Sequence, residues 1–206
     1  MTEGLVAGRD GRPRCWWAVS APEYVAYHDE EWGRPVRGDD RLFERLTLEA
    51  FQSGLAWITI LRKREAFRAA FAGFDFTEVA RFGDRDVERL LADAGIVRHR
   101  GKIEAAIQNA RAAAELHANG ESLAELVWSH APTGRRRAPR TLDDFPSSTP
   151  ESTALAKELK RRGFRVVGPT TAYATMQACG VVNDHLAGCW VRAEVDAARG
   201  YSEPGG

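Results

Sequence analysis

The chain has 206 residues, 44% hydrophobic and 28% charged, with 29 basic side chains against 29 acidic ones. That is enough for one or two compact units with a buried core. The neutral balance excludes a global field toward polyanions, and no apolar run approaches the roughly 18 residues of a membrane span.

Residues 1–13, rich in Gly and Arg, read as a flexible extension. Asp39 or Asp40 can cap a helix through about Ser53, with Leu42, Phe43, Leu46 and Ala50 on its apolar side. A second helix covers Ile58 to Phe71. Asp84 opens a third, with Val87, Leu90 and Leu91 inward and a stop before Gly95. A long helix runs from about His99 to Ala118, and a short one covers Leu123 to Trp128. Thr133 to Pro146 reads as a long loop with little to bury. Thr149-Pro150-Glu151, cap then proline then acid, opens a helix that ends at Gly163. A final helix comes after Gly168-Pro169 and carries Tyr173, Met176 and Gln177 toward Gly180. Residues 191–206 read as a flexible tail. The spacing throughout predicts an all-α fold, with no repeat and no low-complexity segment.

No signal-peptide core is present after Met1, so a cytoplasmic protein is expected. Three cysteines, an odd number, argue against a disulfide framework and for metal ligands or buried thiols. Cys15 and His28 lie near the start of the chain and His185 and Cys189 near its end. The latter pair share a face if they occupy one helical turn. Together they make a Cys2His2 set, a closed tetrahedral arrangement with no open position for water. The alternative is buried thiols and hydrogen-bonded core histidines. Cys179 reads as a small core residue.

Glu49 falls on the apolar stripe of its helix, where a carboxylate is costly to bury unpaired. It is either an edge-of-stripe surface residue or a pocket acid that awaits a cationic or hydrogen-bond-donating ligand. Trp57 comes two turns later, and Tyr24, Tyr27 and Trp32 cluster around His28. Core packing accounts for any one of these rings, and for Trp16 or Trp17. An acid among flat side chains is what a positively charged planar ring would need.

Gly95-Ile-Val-Arg98-His-Arg100-Gly-Lys102 joins two helices through a short turn amid three cations. Free N–H groups at such a helix start favour an anion, and Arg and Lys add phosphate attraction. The turn looks like a DNA-binding helix–hairpin–helix. Other basic runs, Arg62 to Arg64, Arg135 to Arg140 and Lys160 to Arg162, read as solvated faces or as phosphate contacts.

These residues together resemble the bacterial type I 3-methyladenine DNA glycosylases. The resemblance spans about Arg14 to Cys189. It rests on Tyr24-Val-Ala-Tyr27-His28-Asp-Glu-Glu-Trp32-Gly33, on Leu48-Glu49 with Gln52-Ser-Gly54-Leu55-Ala-Trp57, on Gly95 through Lys102, and on Met176-Gln-Ala-Cys-Gly-Val-Val-Asn183-Asp184-His185. It implies a helix–hairpin–helix glycosylase domain over 14–190, with one structural zinc ion held by Cys15, His28, His185 and Cys189. It also implies a base pocket lined by Glu49, Tyr24, Tyr27 and Trp57, with Trp32 alongside. Gly54 and Leu55 would approach the gap in the duplex, and Gly95, Arg98, Arg100 and Lys102 the phosphates. The expected activity is monofunctional hydrolysis of the N-glycosidic bond of 3-methyladenine in double-stranded DNA, by a monomer, with Glu49 as the central side chain. Asp184 is the nearest acidic candidate for a catalytic aspartate, set beside a zinc ligand. A non-enzymatic zinc-stabilised DNA-binding module is the alternative, and a metal-dependent hydrolase would need an open coordination site.

Overall fold

The computed structural model describes residues 3–134 and 136–200. A two-stranded antiparallel ribbon, β1 (Leu5–Ala7) and β2 (Pro13–Cys15), comes first. After it come the α-helices α1 (Pro22–Glu30), α2 (Asp39–Gln52), α3 (Trp57–Ala70), α4 (Phe76–Val79), α5 (Asp84–Ala92), α6 (Arg100–Ala118), α7 (Leu123–Trp128), α8 (Pro150–Arg161), α9 (Pro169–Ala178) and α10 (Arg192–Ala198). The fold is therefore mostly helical, with one short ribbon that the all-α expectation omitted.

The ribbon exists because Gly11, at φ +77°, turns the chain and Arg14 braces it. The Arg14 guanidinium donates to Asp10 at 2.7 Å and to Asp29 at 2.7 Å. The segment expected as an extension thus contributes a strand pair, with Leu5 opposite Cys15 and Ala7 opposite Pro13. The other end differs from expectation too. Past Val191 the chain forms α10, which buries Val195 and Asp196. Asp196 accepts from Asn183 at 2.7 Å, and Arg199 donates to the carbonyls of Gly180 and Val181. With one buried aliphatic residue, α10 is held by polar contacts that periodicity does not reveal. The remainder of the expected tail, 201–206, lies outside the described residues, as does Arg135.

Helix α2 is the axis of the molecule. Every residue from Leu42 to Phe51 is buried, because α3, α6, α7 and α9 all pack on it. Its charged residues therefore need partners. Glu44 accepts from Arg68 at 2.8 Å, and Arg45 donates to Glu31 at 2.7 Å. Glu31 in turn holds Arg64 through both its carboxylate oxygens. A large apolar core includes Phe43, Phe51, Phe67, Phe71 and Phe74, and a smaller one gathers Leu186 and Val191 around Cys15 and Cys189.

One close approach fixes α1 against α9. After α1 the chain passes Gly33 and runs against the end of α9, where Val36 N–H donates to the Cys179 carbonyl at 3.0 Å. A Cβ on Gly180 would fall 2.4 Å from the Gly33 carbonyl oxygen, and Gly180 also has φ +72°. Only glycine fits there.

Candidate active site and metal centre

A cleft of about 410 Å³ opens where α1, the end of α2, the start of α3 and one face of α9 converge. Its lining contains Tyr24 and Tyr27 from α1, Trp32 just beyond it, Glu49 from α2 and Trp57 from α3. All five residues expected in a base pocket are thus brought to one cavity. Tyr27 lies 5.4 Å from Trp57, tilted by 44°, and Trp17 packs edge-on against Tyr24 at 5.7 Å and Trp32 at 5.1 Å. The Tyr24 hydroxyl accepts from the Ile58 N–H at 2.9 Å, which ties α1 to the first turn of α3.

Glu49 is 7% exposed and makes no hydrogen bond among the described residues. Removal from water pushes its carboxyl up to about 7, while the Arg45 guanidinium pulls in the opposite direction. Burial, with the Glu49 charge next in weight, holds the Tyr27 phenol well above its ordinary value. The surface-residue alternative for Glu49 is excluded: α2 has no solvent side at this level. The site is an anionic group of marginal ionisation, walled by rings. The buried Trp57 indole N–H also has no protein partner among the described residues.

Several lining residues were not expected from the sequence. Trp16 and Trp17 belong to the wall and not simply to packing, and Gln52, Phe145, Pro146, Ala174 and Gln177 complete it. Phe145 meets Trp16 edge-on at 5.2 Å. The loop from 133 to 146 therefore does bury something. It is anchored by Asp144, which accepts from the Arg140 and Thr141 N–H groups, and by the Ala187 N–H, which donates to Pro139. The readable signal was an aromatic and proline pair at the end of an otherwise polar stretch.

Gly54 and Leu55 form the tight turn between α2 and α3, with Gly54 at φ +82°. Leu55 is 39% exposed and lies in sequence between the lining residues Gln52 and Trp57. The α5–α6 turn abuts the α2–α3 turn. Lys102 does not present a free cation: its ammonium donates to the carbonyls of Phe51 and Ser53 at 2.9 and 2.6 Å, capping the end of α2. Arg100 pairs with Glu88 at 2.6 Å and also reaches Glu104. Lys63 fills the inside of the turn through the Ala94 and Gly95 carbonyls. Arg98 is exposed and without an ion pair among the described residues.

A second turn joins α8 to α9. Arg165 is clamped there by buried Asn109, which accepts from its N–H at 2.7 Å and donates to its carbonyl. No side chain caps the start of α9 after Gly168. A shallow groove beside it is lined by Lys157, Lys160 and Arg165, all exposed and unpaired among the described residues. Arg161 and Arg162, by contrast, are paired with Glu158 and Glu121.

Behind the cleft, Cys15, His28, His185 and Cys189 place one ligand atom each within 4.8 Å of the others, all buried. His28 Nε2 lies 3.2 Å from His185 Nδ1 and 3.4 Å from Cys189 Sγ, and Cys15 Sγ lies 3.9 Å from His185 Nδ1. A tetrahedral ion with bonds of about 2.0–2.3 Å would have ligand–ligand edges of roughly 3.3–3.8 Å. The outer ring nitrogens are occupied: His28 Nδ1 by Asp29 at 2.7 Å and His185 Nε2 by the Trp32 carbonyl at 3.0 Å. Those contacts turn the inner nitrogens, as lone pairs, toward the centre. His185 and Cys189 do not share a helical turn as expected. They flank a tight turn that Gly188 makes possible at φ +88°. The cluster could hold a metal ion.

Asp184 is buried away from any free space for a substrate. It accepts from the Tyr173 hydroxyl and from Gln177 at 2.9 Å, with Arg136 at 3.6 Å.

Fold and site describe a helical protein with a cleft in which one acid is set among aromatic rings. The sequence profile described as "Methyladenine glycosylase" matches residues 17–193, and the chain belongs to that family. It is 52% identical over 179 residues to DNA-3-methyladenine glycosylase 1 of Escherichia coli K12, covering 85% of this chain and 95% of that one. A crystal structure of 3-methyladenine DNA glycosylase I superposes with a TM-score of 0.83 at 52% identity, covering 86% and 98% of the two chains. The Staphylococcus aureus enzyme, in a structure that addresses 3-methyladenine recognition, superposes at 0.80 with 33% identity over 85% and 94%.

Proposed function

We propose that the protein is a base-excision glycosylase that hydrolyses the N-glycosidic bond of 3-methyladenine in alkylated double-stranded DNA. The observation that carries this reading is Glu49: a desolvated, unpaired carboxyl inside a cage of rings. A cationic purine entering the cleft supplies the missing positive charge and draws Glu49 into its ionised form. Trp57, Tyr27 and Tyr24 offer faces for stacking, each such contact being of order 1–3 kcal/mol.

N3 methylation makes the base a cation that leaves neutral, so little general-acid help is required. Water attacks C1′ as the bond to N9 breaks. The electron pair of that bond neutralises the purine, and the water's proton passes to solvent. The protein's part is to extrude the nucleotide, hold the cation and exclude uncharged purines. Extrusion costs a few kcal/mol, which Leu55, exposed on the turn between α2 and α3, offsets by wedging into the vacated stack. No lysine lines the cleft among the described residues, which supports a monofunctional enzyme.

Cys15, His28, His185 and Cys189 would hold one structural zinc ion. Two sulfurs and two nitrogens with oriented rings fit that ion, and its chemistry there is to fasten both chain ends with no open position. For the DNA backbone, the α5–α6 turn retains Arg98 but has committed Lys102 and Arg100 elsewhere. The uncapped start of α9, with Lys157, Lys160 and Arg165 exposed beside it, is the better phosphate site. We assign the helix–hairpin–helix role chiefly to α8–α9, acting in a cytoplasmic monomer.

The test is incubation with methylated DNA, then chromatography of the bases released. Free 3-methyladenine is the expected product, without strand cleavage and without a borohydride-trapped adduct.

A further inference from the structure

We propose that Gln177 determines which purine the cleft accepts: Asp184 locks its amide so that the carbonyl oxygen faces the bound base and reads the 6-amino group of adenine against the 6-oxo group of guanine. The inference rests on the glycosylase reading above and deepens it.

Helix α9 lends only Ala174 and Gln177 to the cleft wall. Behind them, buried Asp184 is surrounded by donors. Its Oδ2 accepts from the Tyr173 hydroxyl and from Gln177 Nε2 at 2.9 Å, and Arg136 stands 3.6 Å from Oδ1 while donating to the same tyrosine at 3.1 Å. A carboxylate surrounded in this way accepts and does not donate. The amide nitrogen of Gln177 must therefore face it, since turning the amide would set two oxygens together. That orientation is dictated by chemistry and not by the near-identity of the two amide ends.

The other end of the amide is then settled. Gln177 Oε1 has no protein partner among the described residues, and Gln177 is one of the residues that line the cleft. It is an acceptor left open on a cleft that Glu49, a second acceptor, also lines. Adenine presents two amine protons at its 6-position, and guanine presents an oxygen. The charge of Glu49 does not separate 3-methyladenine from 3-methylguanine, because both are cations. An oriented neutral dipole does. With guanine in the cleft, O6 would meet an acceptor that cannot turn away, and a site built to hydrogen-bond one group rejects its counterpart strongly.

DNA treated with a methylating agent contains both lesions, so one digest reports both rates. The enzyme is compared with Gln177→Met and Asp184→Asn by quantifying 3-methyladenine and 3-methylguanine released per unit time. Gln177→Met is expected to slow 3-methyladenine release roughly tenfold, the worth of one lost hydrogen bond, with no fall for 3-methylguanine. Asp184→Asn, which lets the amide turn, should move the ratio in the same direction. Equal losses on both lesions, or an unchanged ratio in Gln177→Met, would overturn the proposal. If Asp184→Asn does not fold, Gln177→Met alone decides. Wild-type protein that releases neither base would instead overturn the glycosylase reading, so the two failures are distinct.

Discussion

Glu49 and Arg45 stand one turn apart on buried α2, yet the arginine gives its hydrogen bond to Glu31 and leaves Glu49 without a partner among the described residues. Arg45 therefore tempers the carboxyl through its field alone. The acid is held close to neutrality's edge, able to respond to a positively charged guest.

This arrangement fixes the sign of the pH dependence. The native carboxyl ionises near 7 against an ordinary value of 4.5. The native state then binds more protons between those values, so stability falls as pH rises through that window, by up to roughly 3 kcal/mol. Below about 4.5 the effect is absent. Glu49→Gln should be more stable than wild type at pH 8 and indistinguishable at pH 4.5, which urea denaturation at both pH values measures.

The same substitution should weaken binding of the methylated base while sparing affinity for undamaged duplex. Catalytic efficiency on methylated DNA should rise with pH through about 7 in the wild type, and this limb should vanish in Glu49→Gln. A limb that persists would assign the titration to another group.

On the proposed zinc reading, treatment with a chelator should lower the unfolding temperature and loosen the cleft, since Trp32 lies 4.6 Å from His185 and its carbonyl binds that ring. Cys189→Ala protein should contain no stoichiometric zinc by elemental analysis. X-ray absorption on the loaded protein should show two sulfur and two nitrogen ligands, with no bound water.

Leu55→Ala should reduce excision from duplex DNA about tenfold, as expected for a lost wedge. It should leave the affinity for free 3-methyladenine unchanged, because the exposed side chain is not among those that line the cavity. Fluorescence titration of Trp57 with free base separates the two effects.

Replacing Lys157 and Lys160 by alanine should reduce the salt dependence of duplex binding by about two counterions. Arg98→Ala should reduce it by less than either lysine change. The reverse ranking, in titrations at several salt concentrations, would return the backbone-binding role to the α5–α6 turn.

Much of the architecture was legible in residue order. The helices α2, α3, α5, α6, α7, α8 and α9 can be read from periodicity and caps, because their apolar residues repeat at helical spacing. Cys15, His28, His185 and Cys189 stood out by residue type, while their spacing left buried thiols and core histidines also open. What was hidden depended on contacts remote in sequence. Burial of Glu49 requires four helices around α2. Lys102 looked like a phosphate ligand until its reach to the α2 carbonyls was seen. The order of α10 comes from Asp196 and Arg199, polar residues whose partners lie around Gly180 and Asn183. Gln177 carried no signal, since its meaning lies in Asp184 behind it.

The four clustered ligands bear on how the protein is synthesised. The rings of Trp17, Tyr24 and Tyr27 precede the core helices in the chain, and the two side chains gathered behind them, His185 and Cys189, follow those helices. A growing chain on the ribosome therefore carries a core around α2 and α6 without a finished lesion-binding surface. Competence to act on DNA waits on the segment that carries His185 and Cys189.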